Sequence, residues 1–296
     1  MELLKHCMLC PNKCGVNRYE TVGVCGAKNK IKLAYYSLHM WEEPVISGDQ
    51  GSGTVFFSHC NMKCIYCQNK KISIDGYGKT ISNKRLGEII LELQGKGAHN
   101  INLVTPTHYV PNIALVLHKL KGKELTIPVV YNTSSYENVG TIMMMNHLVD
   151  IYLADLRYFD DQLAYNYSGC KNYFENATLA IDEMFRQVGS PVLDEKGLLK
   201  NGLVVRVLIL PGHLEDAKNI LRYLYKTYGD EIFISIMNQY TPVNPCIYSN
   251  LNRKLTKEEY DEVVKYALEL GISNAFVQEE GTAQESFIPC FDKNIV

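Results

Sequence analysis

The sequence predicts an α/β protein whose core is a partial β/α barrel, open and made of six strand–helix units, after a small cysteine-rich N-terminal segment. Three observations predict this fold. Apolar, β-branched runs alternate with helical periodicity from Gly51 onward, seven of the ten cysteines lie before residue 68, and 296 residues suffice for one large domain with a small appendage. Strict alternation implies a parallel sheet with right-handed crossovers. Six units are too few to close an eight-stranded barrel.

Each unit begins with a run typical of a buried strand and continues into a helical pattern. The predicted strands are Thr54–Ser58, Ile101–Thr105, Ile127–Asn132, Asp150–Asp155, Leu203–Leu210 and Ile232–Gln239. The predicted helices are Asn83–Gly95, Asn112–Lys121, Asn138–Asn146, Tyr173–Val188, Glu215–Tyr228 and Thr256–Leu270, the last beginning with a capping-box pattern. We expect a boundary near residue 50, with residues 1–50 forming a metal-binding segment and linker and residues 51–296 forming the barrel domain.

Charge and hydropathy argue against several kinds of partner. The formal net charge is −2 and the lysines are scattered, so nothing favours binding to nucleic acid or to an anionic membrane. No apolar run reaches transmembrane length, and Arg206 interrupts Leu203–Leu210. The first residues do not have the pattern of a signal peptide. The sequence therefore predicts a cytoplasmic protein, in which clustered cysteines bind metal more often than they form disulfides.

Four cysteines near the N-terminus form a closed set of soft ligands with C-x2-C-x3-C-x10-C spacing: Cys7, Cys10, Cys14 and Cys25. Tetrahedral zinc and an iron–sulfur cluster both suit this set. A bound metal would supply folding energy that so short a segment cannot obtain from a core. We expect a structural or electron-relay role. The other cysteines are isolated and are interpreted as buried apolar side chains: Cys170, Cys246 and Cys290.

Cys60, Cys64 and Cys67 follow the first predicted strand with C-x3-C-x2-C spacing. Three thiolates can bind three irons of a [4Fe–4S] cube and leave the fourth iron without a protein ligand, whereas ordinary electron-carrying clusters use four cysteines. The open iron can bind a cofactor or a substrate, and Tyr66 offers a flat aromatic face beside it. The spacing alone also allows zinc, or a cluster whose fourth cysteine lies elsewhere.

Polar residues follow the predicted strands, at the edge where barrels and open sheets bind their ligands. Thr105 and Thr107 flank a proline after the second strand, where their oxygens can accept hydrogen bonds from an ammonium group. Arg206 lies inside an apolar strand, where an unpaired charge is costly, so we expect it to point into the barrel and meet an anion.

Four other polar residues receive a plainer interpretation. His108 and His213 lie in loops, where a lone histidine is usually solvated. Glu42 and Glu43 precede a proline and are interpreted as a solvated turn, although a role in closing the floor of the active site stays open. We assign none of the four to catalysis.

The stretch from Phe56 to Cys67 resembles the signature of the radical S-adenosylmethionine (SAM) enzymes. The resemblance covers nearly the whole chain and points to the pyruvate formate-lyase-activating enzyme-like, or PflX-type, iron–sulfur proteins. Its other segments are Cys7–Arg18, Gly51–Ser58, Cys67–Asn69, Val104–Pro111, Arg186–Gly189 and Asn238–Pro242. It implies the partial barrel, a [4Fe–4S] cluster on Cys60, Cys64 and Cys67, and SAM chelating the open iron. It also implies that one electron from the cluster cleaves SAM to methionine and a 5′-deoxyadenosyl radical.

The resemblance also implies a set of SAM contacts. By similarity, Asn132, Thr133 and Asp155 would surround the ribose and methionine end of SAM, and Arg157 would offer a charge-assisted fork to its carboxylate. The alternative for Asp155 and Arg157 is a local structural ion pair. Gln239 would meet the adenosine. Many relatives carry Gly-Gly-Glu-Pro where this chain has Thr105-Pro106-Thr107, and no carboxylate stands there to receive the SAM amino group.

The expected function is hydrogen abstraction from an unidentified protein, peptide or small molecule, with a flavodoxin- or ferredoxin-type reductant protein as partner. One alternative is a glycyl-radical enzyme activase, which abstracts hydrogen from a glycine of a partner enzyme. A second is a non-catalytic iron–sulfur electron carrier. The resemblance fixes the initiating chemistry and does not identify the substrate, because one fold supports many reactions.

Overall fold

A sheet of ten strands forms the centre of the computed structural model, which describes residues 2–243 and 245–278. The strands are β1 (Lys32–His39), β2 (Ser52–Phe57), β3 (Lys79–Thr80), β4 (Ile101–Val104), β5 (Val129–Thr133), β6 (Ile151–Asp155), β7 (Val192–Leu193), β8 (Leu199–Leu208), β9 (Phe233–Met237) and β10 (Ala275–Val277). The α-helices are α1 (Pro44–Ser47), α2 (Lys70–Ser73), α3 (Asn83–Gly95), α4 (Val110–Leu120), α5 (Val139–Met143), α6 (Asp161–Ser168), α7 (Tyr173–Val188), α8 (Leu214–Tyr228) and α9 (Lys257–Leu270). Short 3-10 helices span Glu2–Leu4, Thr107–Tyr109 and Ser249–Asn252.

The strand order confirms the predicted open barrel. Along the sheet it is β10-β9-β8-β6-β5-β4-β2-β1-β3, with β7 antiparallel beside β8. The strands from β2 to β10 in this order pair in parallel, and β1 pairs antiparallel with β2. Because β10 and β3 stand at opposite ends of the order, the sheet does not close. Strand β1 belongs to the predicted N-terminal segment, yet it extends the same sheet as the barrel strands.

Most predicted elements are present, with a few differences. Helices α3 and α7 have the predicted bounds, and the capping box at Thr256 forms, with its hydroxyl accepting from the Glu259 backbone N–H at 3.2 Å. The predicted helix Asn138–Asn146 is shorter, and His147 just beyond it adopts a positive φ of 63°. The sequence did not predict β1, α6, β10 or the short helices α1 and α2. Within the described residues, no helix has the length and apolarity needed to cross a membrane.

Alternating side chains give the parallel strands two different faces. Tyr131, Tyr152 and Val205 belong to the large cluster that packs the outer helices. Their neighbours in sequence belong to a second cluster on the concave face, around the fully buried Ile46 of α1: Val130, Leu153 and Val204. Helix α1 therefore fills the N-terminal end of the barrel, and Asn100 anchors it by donating to the Ile46 carbonyl at 2.7 Å.

Candidate active site at the mouth of the barrel

The loop between β2 and α2 places the three motif cysteines at the C-terminal mouth of the barrel. A cavity of about 250 Å³ opens beside this loop and extends down the concave face. The cysteines and most of the predicted site residues line it together: Cys60, Cys64, Cys67, Tyr66, Thr105, Asn132, Thr133, Asp155, Arg157, Arg206 and Gln239. These residues come from widely separated parts of the sequence, as expected for a site built over parallel strand ends.

The three thiols on this loop are the kind of donor that an iron–sulfur cube takes. Among the described residues, no three Cys, His, Asp or Glu side chains converge on a point where they could hold one metal ion. Thiolates on one tetrahedral zinc would lie about 3.8 Å apart. A cube takes each thiolate on a different iron, so its ligands stand further apart. The donor set is therefore suited to a [4Fe–4S] cluster with one iron left free.

Each motif sulfur already has a hydrogen-bonding neighbour. The Ser168 hydroxyl donates to Cys64 Sγ at 3.0 Å, and the Ser73 hydroxyl lies 3.2 Å from Cys67 Sγ. The Met62 backbone N–H donates to Cys60 Sγ at 3.4 Å. Burial raises the pKa of the Cys60 thiol to about 12. Burial also raises the pKa of Cys64, against the lowering effect of the Arg157 charge.

Arg206 is the centre of a buried polar network on the concave face. Its Nε donates to Asp155 Oδ1 at 2.6 Å, its Nη2 to Asn132 Oδ1 at 2.7 Å, and its Nη1 to Glu42 Oε2 at 3.2 Å. Arg206 thus points inward as expected, and the anions that it meets are the carboxylates of Asp155 and Glu42. Arg157 Nη2 donates to the other oxygen of Asp155 at 2.6 Å, so the ion pair considered as the alternative role of these two residues is present within the cavity wall.

The charges of this network hold Asp155 ionised. Burial alone would raise the pKa of Asp155, but Arg206 and Arg157 outweigh it and the pKa lies below its usual value. For Glu42 the balance is reversed, because burial raises the pKa more than Arg206 lowers it. Two guanidinium groups, those of Arg206 and Arg157, therefore converge on the Asp155 carboxylate. The Nε of Arg157 has no hydrogen-bond partner among the described residues.

The interpretation of Glu42 and Glu43 as a solvated turn is wrong. Glu43 is buried, and Glu42 lines the cavity with a side chain only 10% exposed. The Asn102 amide donates to Glu42 Oε1 at 3.0 Å, which ties the segment before α1 to β4. Glu42 thus closes the floor of the cavity. No local pattern in the sequence reveals this role, because its partner Arg206 lies 164 residues away.

Thr107 is the one predicted SAM contact that does not line the cavity. It is buried in the turn after β4, and its hydroxyl donates to Glu137 Oε1 at 2.6 Å. The hydroxyls of Thr133 and Tyr131 donate to the same oxygen at 2.7 and 3.2 Å. Burial raises the pKa of Glu137 to about 7 although all three donors lower it. This carboxyl, which sequence reasoning missed, joins the turns that follow β4 and β5.

Three residues around the mouth adopt a backbone conformation that only glycine adopts freely. His59, Thr105 and Ser135 have φ values of 77°, 56° and 60°. Such conformations cost about 1–3 kcal/mol each and persist only where surrounding contacts enforce them. Thr105 and Ser135 lie in the turns joined by Glu137, and His59 directly precedes the first motif cysteine. The turns that bound the cavity are thus held in fixed shapes.

Three minor interpretations need correction or lie outside the structure. His108 is buried and its Nε2 lies 2.9 Å from the Ser58 carbonyl, with its pKa lowered to about 3 by burial and by the charge of Arg18. His213 is part-buried, with its Nε2 2.8 Å from the Tyr167 hydroxyl. Neither is solvated. Cys170 is buried as predicted, Cys246 is only partly buried, and Cys290 lies outside the described residues.

The N-terminal cysteine segment packs directly on the motif loop. Asn12 Nδ2 donates to the Asn61 carbonyl at 2.8 Å, and Lys63 Nζ donates to the Cys25 carbonyl at 3.2 Å. The thiols of Cys14 and Cys25 lie near each other, since a side chain at Gly23 would meet them at 3.1 and 3.6 Å. The segment that carries the four cysteines therefore forms part of the support of the loop that carries the other three.

Arg18 joins the two regions from a fully buried position. Its guanidinium donates to the carbonyls of Ala27, Lys28 and His108. Replacing it by methionine leaves three acceptors without donors, two of them in buried hydrogen bonds, and each buried acceptor left unpaired costs about 1–3 kcal/mol. We expect Arg18→Met to lower the free energy of unfolding in urea by on the order of 3 kcal/mol.

The matched control for Arg18 is the exposed Arg222, which donates to the Tyr266 hydroxyl and the Asn219 amide oxygen on the surface. Arg222→Met should change the free energy of unfolding by less than about 0.5 kcal/mol. Equal losses in the two variants would show that Arg18 does not hold the segment in place.

Comparison with known proteins finds one matching family model and several solved structures of similar fold. A family model described as a 4Fe-4S single cluster domain matches residues 46–171, which contain the motif loop and the first half of the barrel. The structure resembles that of a radical SAM methyltransferase from Sphaerobacter thermophilus, with a TM-score of 0.53 at 14% identity over 78% of this chain and 67% of the other.

A second structural relative is SuiB of Streptococcus suis, solved with S-adenosylmethionine and with its precursor peptide SuiA. The SAM complex aligns with a TM-score of 0.52 at 15% identity, covering 75% of this chain, which spans about half (48%) of SuiB. Over 279 residues the sequence is 31% identical to uncharacterized protein MJ0674 of Methanocaldococcus jannaschii, covering 90% of this chain and 75% of the relative. The chain belongs to the same family as that archaeal protein, and its fold is similar to that of radical SAM enzymes.

Proposed function

We propose that this protein binds a [4Fe–4S] cluster through Cys60, Cys64 and Cys67, binds SAM at the free iron, and abstracts a hydrogen atom from a substrate. The observation that carries the proposal is the cavity, which the three motif thiols line together with polar side chains from the strand ends. When bound, the cluster supplies the electron that cleaves SAM. The residues of the chain then bind and orient SAM and keep it within the barrel.

The cavity wall offers a complementary group for each part of SAM. Arg157 lines the cavity, and its guanidinium, held by Asp155 through Nη2, is a suitable partner for the carboxylate. Asn132 and Thr133 lie at the end of β5, where they can meet the ribose, and Gln239 lies beyond β9 on the side left for the adenine. Thr105 is the residue of the Thr-Pro-Thr turn that faces the cavity. Thr107 acts through Glu137 rather than on SAM.

The proposal is tested by reconstituting the protein anaerobically with iron and sulfide and adding dithionite and SAM. Formation of 5′-deoxyadenosine, measured by liquid chromatography, is the expected result. A reconstituted protein that holds iron and sulfide but yields no 5′-deoxyadenosine would favour the non-catalytic electron carrier. Deuterium transfer from a labelled candidate substrate into 5′-deoxyadenosine then identifies the group that the radical attacks.

Replacement of Arg157 should weaken SAM binding while the cluster remains. A charge-assisted hydrogen bond to the SAM carboxylate contributes about 1.5–3 kcal/mol, so Arg157→Ala should raise the dissociation constant of SAM by about 10- to 100-fold. Equilibrium dialysis with labelled SAM measures it, and the visible absorbance of the cluster is the control. Lys171→Ala, at an exposed lysine, should leave both unchanged. Loss of the absorbance in Arg157→Ala would instead make the Asp155–Arg157 pair structural.

We further propose that residues 1–50 form a metal-binding segment and residues 51–296 the radical SAM domain. Four soft ligands at Cys7, Cys10, Cys14 and Cys25 suit either tetrahedral zinc or a second iron–sulfur cluster. Elemental analysis of the Cys60, Cys64 and Cys67 triple alanine variant tests this, since only the N-terminal set remains. Iron with sulfide supports the cluster, and about one zinc per chain without iron supports the tetrahedral site.

The substrate class is open between a protein or peptide and a small molecule, and the reductant is a flavodoxin- or ferredoxin-type protein. SuiB has been solved with a precursor peptide, which supports a peptide substrate as one candidate. A glycyl-radical activase is the alternative. It requires a partner enzyme whose glycine loses deuterium to 5′-deoxyadenosine, and a host genome without any glycyl-radical enzyme would refute it.

A further inference from the structure

A chain of buried hydroxyl groups leads from the motif tyrosine to one of the motif cysteines. The Tyr66 and Tyr158 hydroxyls lie 2.5 Å apart, the Tyr158 hydroxyl lies 2.7 Å from the Ser168 hydroxyl, and Ser168 Oγ lies 3.0 Å from Cys64 Sγ. All four side chains are at least nine-tenths buried. Ser168 ends helix α6, an element that the sequence pattern did not predict.

The backbone around Ser168 also holds the cysteine loop. The Lys63 N–H donates to the Ser168 carbonyl at 3.1 Å, and the Ile65 N–H donates to the Tyr167 carbonyl at 2.9 Å. These two bonds flank Cys64 and fix it against the end of α6. The contact between the Ser168 hydroxyl and Cys64 Sγ is therefore set by two backbone bonds as well as by the side chains.

A thiolate ligand at Cys64 fixes which group donates in each hydrogen bond of this series of hydroxyl groups. A thiolate has no proton and can only accept, so Ser168 must donate its single hydroxyl proton to it. Ser168 Oγ then accepts from Tyr158, and Tyr158 in turn accepts from Tyr66. Each hydroxyl dipole points its positive end toward the sulfur, and hydrogen bonds aligned in this way strengthen one another.

We propose that Ser168, backed by Tyr158 and Tyr66, is a positioning residue that sets the reduction potential of the SAM-binding cluster through its hydrogen bond to the Cys64 thiolate. The inference rests on the proposed function, because it requires a cluster on Cys64. Reduction adds negative charge to the cluster, and a donor to a ligand sulfur stabilises that charge. The hydroxyl chain thus makes the cluster easier to reduce.

The test is a redox titration of reconstituted Ser168→Ala, followed by the electron paramagnetic resonance signal of the reduced cluster. We expect a midpoint potential more negative than that of the wild type. Tyr158→Phe keeps the ring and removes one link, so it should shift the potential in the same direction by less. Ser52→Ala removes another buried serine hydroxyl, one that bonds to Asn100 at 2.6 Å and lies outside the cavity lining, and should leave the potential unchanged.

The outcomes separate the inference from the proposed function. A wild-type protein that binds no cluster or cleaves no SAM would refute the proposed function itself. A wild type that does both, with a Ser168→Ala potential equal to its own, would refute only the role of Ser168. If Ser168→Ala fails to bind a cluster, Tyr158→Phe decides, and a potential equal to that of the wild type overturns the proposal.

Discussion

Replacing Cys60, Cys64 or Cys67 by alanine is expected to reduce 5′-deoxyadenosine formation to the level seen without enzyme. Each substitution removes one of three protein ligands of the proposed cluster and opens a second iron, so that SAM no longer has a single defined site. The measurement is product formation from SAM after anaerobic reconstitution with dithionite, together with iron content. The effect should be complete for each variant, since only two of the three motif thiolates would be left to hold the cluster.

Cys246→Ala is the matched control for these variants. Its thiol is partly buried, lies outside the cavity lining and donates only to the Tyr248 carbonyl at 3.4 Å. It should retain wild-type iron content and product formation. If any of the three motif variants formed product at the rate of Cys246→Ala, the assignment of the cluster to this loop would be refuted. The proposed active site would then be refuted with it.

Replacement of Arg206 should produce the largest loss of stability. Arg206→Met leaves Asp155 and Glu42 buried without their shared cation, and breaking a buried ion pair in this way costs about 3–5 kcal/mol. The free energy of unfolding in urea, measured anaerobically, should fall by that amount. Arg206→Lys keeps the charge and loses the bidentate geometry, so its loss should be smaller.

A double variant shows whether the cost comes from stranded charge. If it does, adding Glu42→Gln to Arg206→Met should recover part of the lost stability, because Glu42 then carries no unpaired charge while Asp155 keeps its ion pair with Arg157. A loss below about 1 kcal/mol in Arg206→Met alone would indicate a solvent-screened pair and contradict the buried network.

Local signals in the sequence were sufficient for much of the fold. Helix α3 could be placed to the residue because Ser82 caps its start, and α7 because Gly189 follows its end. The motif cysteines could be placed at the mouth because they directly follow β2. Strand β1 was missed because it lies before the barrel and has only partial burial over most of its length. Helix α6 is short and largely polar on its surface, so its periodicity is weak.

The functional residues that sequence reasoning missed are those whose partners are distant along the chain. Glu42 is recognisable only through Arg206, and Ser168 only through Cys64, 104 residues away. Glu137 holds two turns together, yet in the sequence it is a single acid in a polar loop. Arg206 itself was predicted, because a charge inside an apolar strand must find a partner. A charged residue inside an apolar strand indicates that a partner must exist, but only the folded topology shows which residue that partner is.

Helix α1 fills the N-terminal end of the barrel, and this bears on how molecules enter and leave the cavity. On the proposed function, SAM lies between the cysteine loop and Glu42, so a substrate that entered past the cysteine loop would meet SAM before it reached Glu42. That arrangement would favour ordered kinetics, in which SAM binds before the substrate.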